Sequence, residues 1–305
     1  LYRLVGSEMC IRDRFKSDNT KGVLIAFLGA LLLTPDTLFM RLSEMDVWTM
    51  LFWRGFQMGA ILILMTFSVK EYRENFFLIF KKIGALIVLI QASGSVFFTL
   101  GIVNSSVALI LFCIATGPLF AAFFSLIILK EKLKRPTIYA SIFSLIGIII
   151  VVTDPSEVLN APDGSVVFGT VCGLLTAISL GLYFVLLRSN PKIPAFGTTG
   201  FGAIITGFVG LLFIDLGQIF AGNFLAISIS GLIILPLSFA ALAYATRYTY
   251  ASNISLLMLL ETIFGPLWVW VFLKETPNIQ MLFGGIIVII TLTIYFIVLK
   301  AGEKN

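Results

Sequence analysis

Between Gly22 and Leu299 the chain alternates long apolar runs with short polar clusters. A hydrocarbon layer about 30 Å thick is crossed by roughly 20 apolar residues in a helix, at about 1.5 Å of rise each. The runs are of that order. They predict helices near Gly22–Met40, Val47–Val69, Ile83–Val103, Val107–Leu129 and Thr137–Thr153. A second set follows near Val167–Leu187, Gly197–Phe220, Leu225–Thr246, Asn253–Leu273 and Ile279–Leu299. The shortest links are Asn104–Ser106 and Lys274–Asn278, and no loop exceeds about a dozen residues. The expected fold class is an all-α membrane protein of ten transmembrane helices, with no room for a soluble catalytic or ligand-binding domain. Any chemistry has to happen between helices.

Lysine and arginine are retained on the cytoplasmic side of a membrane protein. An inside N-terminus puts Lys70, Arg73, Lys81, Lys82, Lys130, Lys132, Lys134, Arg135, Arg188, Lys192, Arg247, Lys300 and Lys304 in the cytoplasm, and leaves only Arg41 and Lys274 outside. This predicts an N-in, C-in arrangement with an even number of spans. The outer loop Asp154–Ser165 holds Asp154, Glu157 and Asp163 with Pro155 and Pro162, and no basic residue. It divides the chain into an N-terminal tail (1–21), a first five-helix unit (22–153), an outer linker (154–166), a second five-helix unit (167–299) and a cytoplasmic tail (300–305). Residues 1–14, LYRLVGSEMCIRDR, have no apolar period and resemble translated adapter read-through rather than native sequence. An ordinary basic tail is the other reading.

The composition narrows the function. The chain is 59% hydrophobic and 12% charged, against roughly 25% charged in an average soluble domain, and its mean hydropathy is +1.04. The net charge of +5 lies on one side of the membrane and calls for no nucleic acid. Cys10, Cys113 and Cys172 have no CxxC spacing and read as packing residues. Histidine is absent from the sequence, which removes the commonest metal ligand and general base. No GxxxxGK[ST] loop is present to use ATP. No cofactor, metal or catalytic residue is therefore expected, and the chain does not read as an enzyme.

An apolar helix in each half ends in the same tripeptide, Leu129-Lys130-Glu131 and Leu273-Lys274-Glu275, an offset of 144 residues (273 less 129). With five spans per half, the first tripeptide falls inside and the second outside, so the units are predicted to be inverted repeats. Two such bundles can exchange outward-open and inward-open shapes around one midplane site. Duplication without alternating access, or a chance likeness of two apolar helices with the same ending, is the other reading.

Three features carry a family resemblance: Phe52-Trp53-Arg54-Gly55-Phe56 in the second helix, Pro118 thirteen residues before Glu131, and the Leu-Lys-Glu ending of the ninth helix. Over about Gly22–Leu299 the chain resembles the drug/metabolite transporter superfamily with two EamA-type domains. That family often shows Leu-Glu-Pro in the second half, where this chain has Leu260-Glu261-Thr262 followed by Gly265-Pro266. The resemblance implies a secondary transporter of a small solute such as an amino acid, drug or related metabolite. It also implies export, by ten helices around a central cavity in a bacterial inner membrane. The expected partners are the solute, the lipid bilayer and, for coupling, protons. A channel or a membrane sensor with the same bundle is the alternative.

A charged side chain at the centre of a span costs about 2.5–3.5 kcal/mol on insertion scales, so the few present should face protein or water. Glu261 lies near the middle of the ninth span, Arg54 in the second, and Asp36 and Asp215 toward the outer ends of the first and seventh. The repeat offset aligns Glu261 with Gly117, which belongs to a small-residue ridge, Cys113, Gly117, Ala121 and Ser125, of the kind that packs helices closely. Glu261 should therefore face protein, either paired with Arg54 or as a substrate- or proton-binding carboxylate, with snorkelling toward the interface as the third reading. Arg54 suits a substrate carboxylate held by two parallel hydrogen bonds, or a partner among Glu261, Asp36 and lipid phosphate. Asp36, after Pro35, suits a polar pocket beside freed backbone groups, or an early helix end at the outer surface. Tyr183, Gln91, Gln57 and Asn104 suit either cavity contacts or ordinary helix-packing hydrogen bonds. Gly169, Gly173, Ala177 and Gly181 form a second ridge, read as packing. Trp48, Trp53, Trp268 and Trp270 suit an aromatic belt. The candidate substrate or coupling set is Glu261, Arg54, Asp36, Tyr183 and Gln91.

Overall fold

The computed structural model describes residues 19–105, 107–131, 135–152, 165–274 and 279–302, and every regular element among them is helical. The tail over 1–18, the acidic part of the outer linker, and Lys132, Lys134, Glu275 and Lys304 lie outside the described residues. In chain order the long helices are α1 (Asn19–Ser43), α2 (Val47–Ser68), α3 (Lys82–Asn104), α4 (Leu109–Leu129), α5 (Arg135–Val152), α6 (Val167–Ser189), α7 (Ala195–Phe213), α8 (Phe224–Ala245), α9 (Ala251–Leu273) and α10 (Ile279–Gly302). Among the described residues, eight of these, all except α5 and α10, are long and apolar enough to cross a membrane. A short helix at Lys70–Glu74 and a 3-10 turn at Phe76–Phe80 join α2 to α3.

Side chains at the helix ends explain several boundaries. Asp46 starts α2 by accepting from the amides of Trp48 and Thr49, at 2.8 and 3.2 Å, and from the Thr49 hydroxyl, which satisfies donors that a first helical turn leaves free. Asn223 starts α8 in the same way, accepting from the Ala226 amide at 3.2 Å. The seventh helix stops at Phe213 rather than running on to Phe220, because Asp215 turns back to accept from the Gly217 amide and opens a separate 3-10 turn, Leu216–Gln218. Asp215 thus lies exposed at a bundle end, away from any site. The repeated tripeptide has a structural meaning: Lys130 and Lys274, at φ 55° and 58°, are the left-handed residues that terminate α4 and α9. Non-glycine residues seldom adopt that region, so the two halves share an uncommon helix stop as well as a sequence.

Small residues set the helix packing. Gly55 and Gly59 of α2 lie against Gly207, Ala203 and Gly200 of α7, and a Cβ added at Gly55 would fall 2.3 Å from the Gly207 amide nitrogen. The two ridges read from the sequence meet each other: Gly173 of α6 packs on Cys113, and Gly181 on Ala121, both of α4. The packing also repeats between halves. Helix α3 packs on α6 and α7, as α8 packs on α1 and α2; α4 packs on α6, as α9 packs on α1. The pairs α2–α7, α4–α9 and α5–α10 map onto themselves when the halves are exchanged. Around this core, large apolar side chains such as Leu64, Leu212, Val271 and Ile297 point outward. That surface suits hydrocarbon and not water.

Candidate functional site

The helices lose their regular hydrogen bonding where they converge. Pro35 has no amide to give to the Leu31 carbonyl, and that carbonyl is taken up instead by the Thr34 amide and hydroxyl, at 3.3 and 2.9 Å. The chain turns there and restarts with Asp36–Ser43. Helix α4 breaks at Ala115–Thr116, just before Pro118, and the Thr116 hydroxyl bonds the Cys113 carbonyl at 2.6 Å. Helix α8 widens into a π turn at Ser230–Ile234, ahead of Pro236. Helix α9 breaks at Met258 and restarts with Leu259–Leu273. This last break needs no proline at 262: the Met258 carbonyl accepts from the Glu261 amide at 3.0 Å, and the Thr262 hydroxyl bonds the Leu111 carbonyl of α4 at 3.2 Å.

These breaks surround a narrow cavity of about 50 Å³, well short of the roughly 300–1,000 Å³ common for small-molecule sites, so a bound solute requires the helices around it to part. Its polar lining is Asp36, Arg54, Gln91, Ser95, Thr176, Ser179 and Glu261, and its apolar walls include Met58, Ile90, Phe98, Phe239 and Met258. Both halves contribute. Asp36 and Glu261 each occupy the first turn of a restarted helix segment, where the partial positive charge of the helix N-terminus favours a carboxylate.

The charges are unequally satisfied. Arg54 Nη2 donates to Asp36 Oδ2 at 2.7 Å, and the Ser230 hydroxyl donates to Asp36 Oδ1 at 2.5 Å. Asp36 is thus held by one residue of its own half and one of the other. The Arg54 guanidinium lies 5.9 Å from the Phe98 ring centroid, and its Nη1 is buried without a hydrogen-bond partner. Glu261 is 4% exposed and lines the same cavity. Its side chain makes no ion pair or hydrogen bond among the described residues.

These positions decide between several readings of the sequence. Asp36, Arg54, Gln91 and Glu261 are brought together in one cavity. The Arg54–Glu261 ion pair is replaced by Arg54–Asp36, because the restarted segment of α1 carries Asp36 to the guanidinium. Asp36 does not mark a helix end at the outer surface: it is 1% exposed and the helix continues to Ser43. Tyr183 is not a cavity residue. It is fully buried in the core and its hydroxyl meets the Thr199 hydroxyl at 2.5 Å, across the packing of α6 on α7. Gln57 bonds the Ser228 hydroxyl at 2.9 Å, and Asn104 bonds the Leu100 carbonyl at the exposed end of α3, so both are packing contacts. Trp53 and Trp268 give their indole N–H to the Ile219 carbonyl and the Thr34 hydroxyl. The sequence reading missed Ser230, Ser95, Thr176 and Ser179; a serine six residues before Pro236 in an apolar helix was the available signal for the first.

A second set of arginines closes one end of the bundle. Arg188 of α6 pairs with Glu131 at 3.0 Å, donates to the Thr249 and Thr246 carbonyls at 2.5 and 3.4 Å, and lies over the Tyr250 ring. Arg247 pairs with Glu71 at 2.7 Å, donates to the Pro191 carbonyl at 2.8 Å and lies over the Tyr72 ring. The hydrogen bond from Arg247 holds the Glu71 carboxyl below the usual carboxylate range. Burial pushes the Tyr72 phenol up to about 12.

Residues 20–153 and 167–297 each match the EamA-like transporter family. An uncharacterized transporter of Clostridium kluyveri is 28% identical over 251 residues, 77% of this chain and 79% of that protein. An uncharacterized transporter of Bacillus subtilis is 26% identical over 209 residues, 67% of this chain and 65% of that protein. A protein crystal structure at 16% identity superposes with a TM-score of 0.69, over 93% of this chain and 99% of that one, a likeness of fold alone. The two family matches coincide with the two halves that exchange in the packing, and the relatives are transporters rather than enzymes. The chain is a multi-pass membrane transporter that belongs to the EamA-like transporter family.

Proposed function

We propose that the chain is a secondary carrier that exports an amino acid or a closely related solute by alternating access around the central cavity. The observation that carries this reading is the unequal satisfaction of charge there. Asp36 is fully engaged, whereas among the described residues Glu261 has no hydrogen-bond or ion-pair partner and Arg54 keeps one nitrogen free. A solute bearing an ammonium and a carboxylate satisfies both, with its side chain against Met58, Ile90, Phe98 and Phe239. A guanidinium nitrogen binds a carboxylate by a short charge-assisted hydrogen bond. Proton exchange at Glu261 is the coupling step we assign to this site.

In the proposed topology α5 and α10 also cross the bilayer, giving ten spans as two inverted units. Both termini lie in the cytoplasm, and the membrane is a bacterial inner membrane. The basic residues of the α2–α3, α4–α5 and α6–α7 connections then share the cytoplasmic side with Arg188 and Arg247. That side opens when the Arg188–Glu131 and Arg247–Glu71 contacts part.

Counterflow in liposomes tests the proposal. Vesicles preloaded with unlabelled amino acid should accumulate labelled solute transiently, and empty vesicles should not. Flux that equilibrates without stimulation from the opposite face would indicate a channel, and no flux across a broad panel of solutes would favour a sensor.

A further inference from the structure

Helices α5 and α10 stand together at the edge of the bundle, and between them runs a second groove of about 500 Å³. Its walls are almost wholly apolar: Tyr139, Phe143, Ile287, Ile290, Ile294 and Val298. Arg135 stands at one end. It has no acidic partner among the described residues, and Lys130, Lys132 and Lys134 precede it in the sequence. Along α10 the groove reaches from Ile287 to Val298, which at about 1.5 Å per residue is roughly 16 Å. Half of a hydrocarbon layer about 30 Å thick has the same depth.

We propose that this groove is a binding site for an anionic phospholipid, with one acyl chain lying along α10 and the phosphate on Arg135. The match in depth places the headgroup at the interface when the chain fills the groove. The charge at the mouth selects the headgroup, since basic pockets beside spanning helices attract anionic lipids. A guanidinium also fits phosphate oxygens with paired N–H donors. The site is separate from the central cavity and does not depend on what the carrier moves, but it rests on the proposed topology in which α5 and α10 cross the bilayer. Its chemistry ties α5 to α10 on the lipid side, where each packs on the other more than on the rest of its own half.

Native mass spectrometry of the full chain, released from detergent with phosphatidylglycerol or phosphatidylcholine of equal chain length added, tests this directly. Phosphatidylglycerol should bind with a preference of about five-fold, the worth of one basic side chain at an anionic surface. Arg135→Gln should lower phosphatidylglycerol to the level of phosphatidylcholine, and Ile294→Trp, which fills the groove from its exposed side, should remove both. Thermal melts of the variants keep a folding failure from being read as loss of the site. Equal binding of the two lipids, or a preference unchanged in Arg135→Gln, would overturn the proposal. So would dimerisation of the chain that Ile294→Trp abolishes and added lipid leaves intact, which would make the groove a protein interface.

Discussion

Arg54 and Arg247 each meet a carboxylate oxygen at 2.7 Å, yet the surroundings give the two pairs different tasks. The Arg54 and Asp36 side chains are 8% and 1% exposed, inside a cavity with a second acid beside them. The Arg247 and Glu71 side chains are 16% and 53% exposed, at the bundle rim, with the guanidinium spread over an aromatic ring and a carbonyl. Removing ions from water is costly, and a buried pair is tolerated only where its geometry is good. A pair at the rim stays near water and contributes little. In the proposed carrier the buried charges recognise the solute, while the rim pair can open and close at small cost, as a gate must.

The sharpest way to break the comparison is to remove one member of the buried pair. Arg54→Met leaves Asp36 without its counter-ion and should destabilise the protein by about 3–5 kcal/mol, seen as a lower melting temperature in detergent, with loss of counterflow. The double variant Arg54→Met with Asp36→Asn should regain most of that stability but not transport. A double variant as unstable as the single one would mean that the pair is not what holds this region.

Glu261→Gln separates recognition from folding. Its side chain gives up no hydrogen bond or ion pair among the described residues, so the melting temperature should stay close to that of the parent. Solute affinity should fall about 10- to 100-fold, the loss of one charged hydrogen bond of about 1.5–3 kcal/mol. Isothermal titration and counterflow read the two quantities. A large drop in stability with unchanged affinity would make Glu261 a structural residue.

At the rim, Glu71→Gln should change stability by less than about 1 kcal/mol. The sign with pH follows from the lowered Glu71 pKa. The stabilisation is complete above the ordinary glutamate value, about 4.3. It is lost as the pH falls through the lower folded value. Melting curves of parent and variant should therefore converge in acid. A difference that grows below pH 4 would contradict the Arg247 contact.

Much of this architecture is readable from the sequence, and the limits have physical causes. Apolar runs separated by charge locate the helices, because a spanning helix must satisfy its own backbone and face hydrocarbon. Helix α2 begins at the predicted Val47, since Asp46 caps it. The glycine ridge of α6 and the small-residue ridge of α4 were legible as contact faces, and they contact each other. The partner of Arg54 was not legible, because Asp36 and Glu261 offer the same chemistry and only the path of α1 after Pro35 decides between them. The break at Met258 carries neither proline nor glycine at that position, and so leaves no local mark. Tyr183 was assigned to the cavity because a lone hydroxyl in a span fits either a solute or a neighbouring helix. In the structure Thr199 takes it.

Alternating access itself is most directly tested at Ser95, which lines the cavity. Ser95→Cys, in a chain with Cys10, Cys113 and Cys172 replaced by alanine, is labelled with an impermeant maleimide from either face of oriented vesicles, with and without solute. The account predicts that solute shifts labelling from one face to the other, and that reactivity at the two faces changes in opposite directions. Simultaneous full reactivity from both faces, or reactivity from one face that solute never changes, would contradict it.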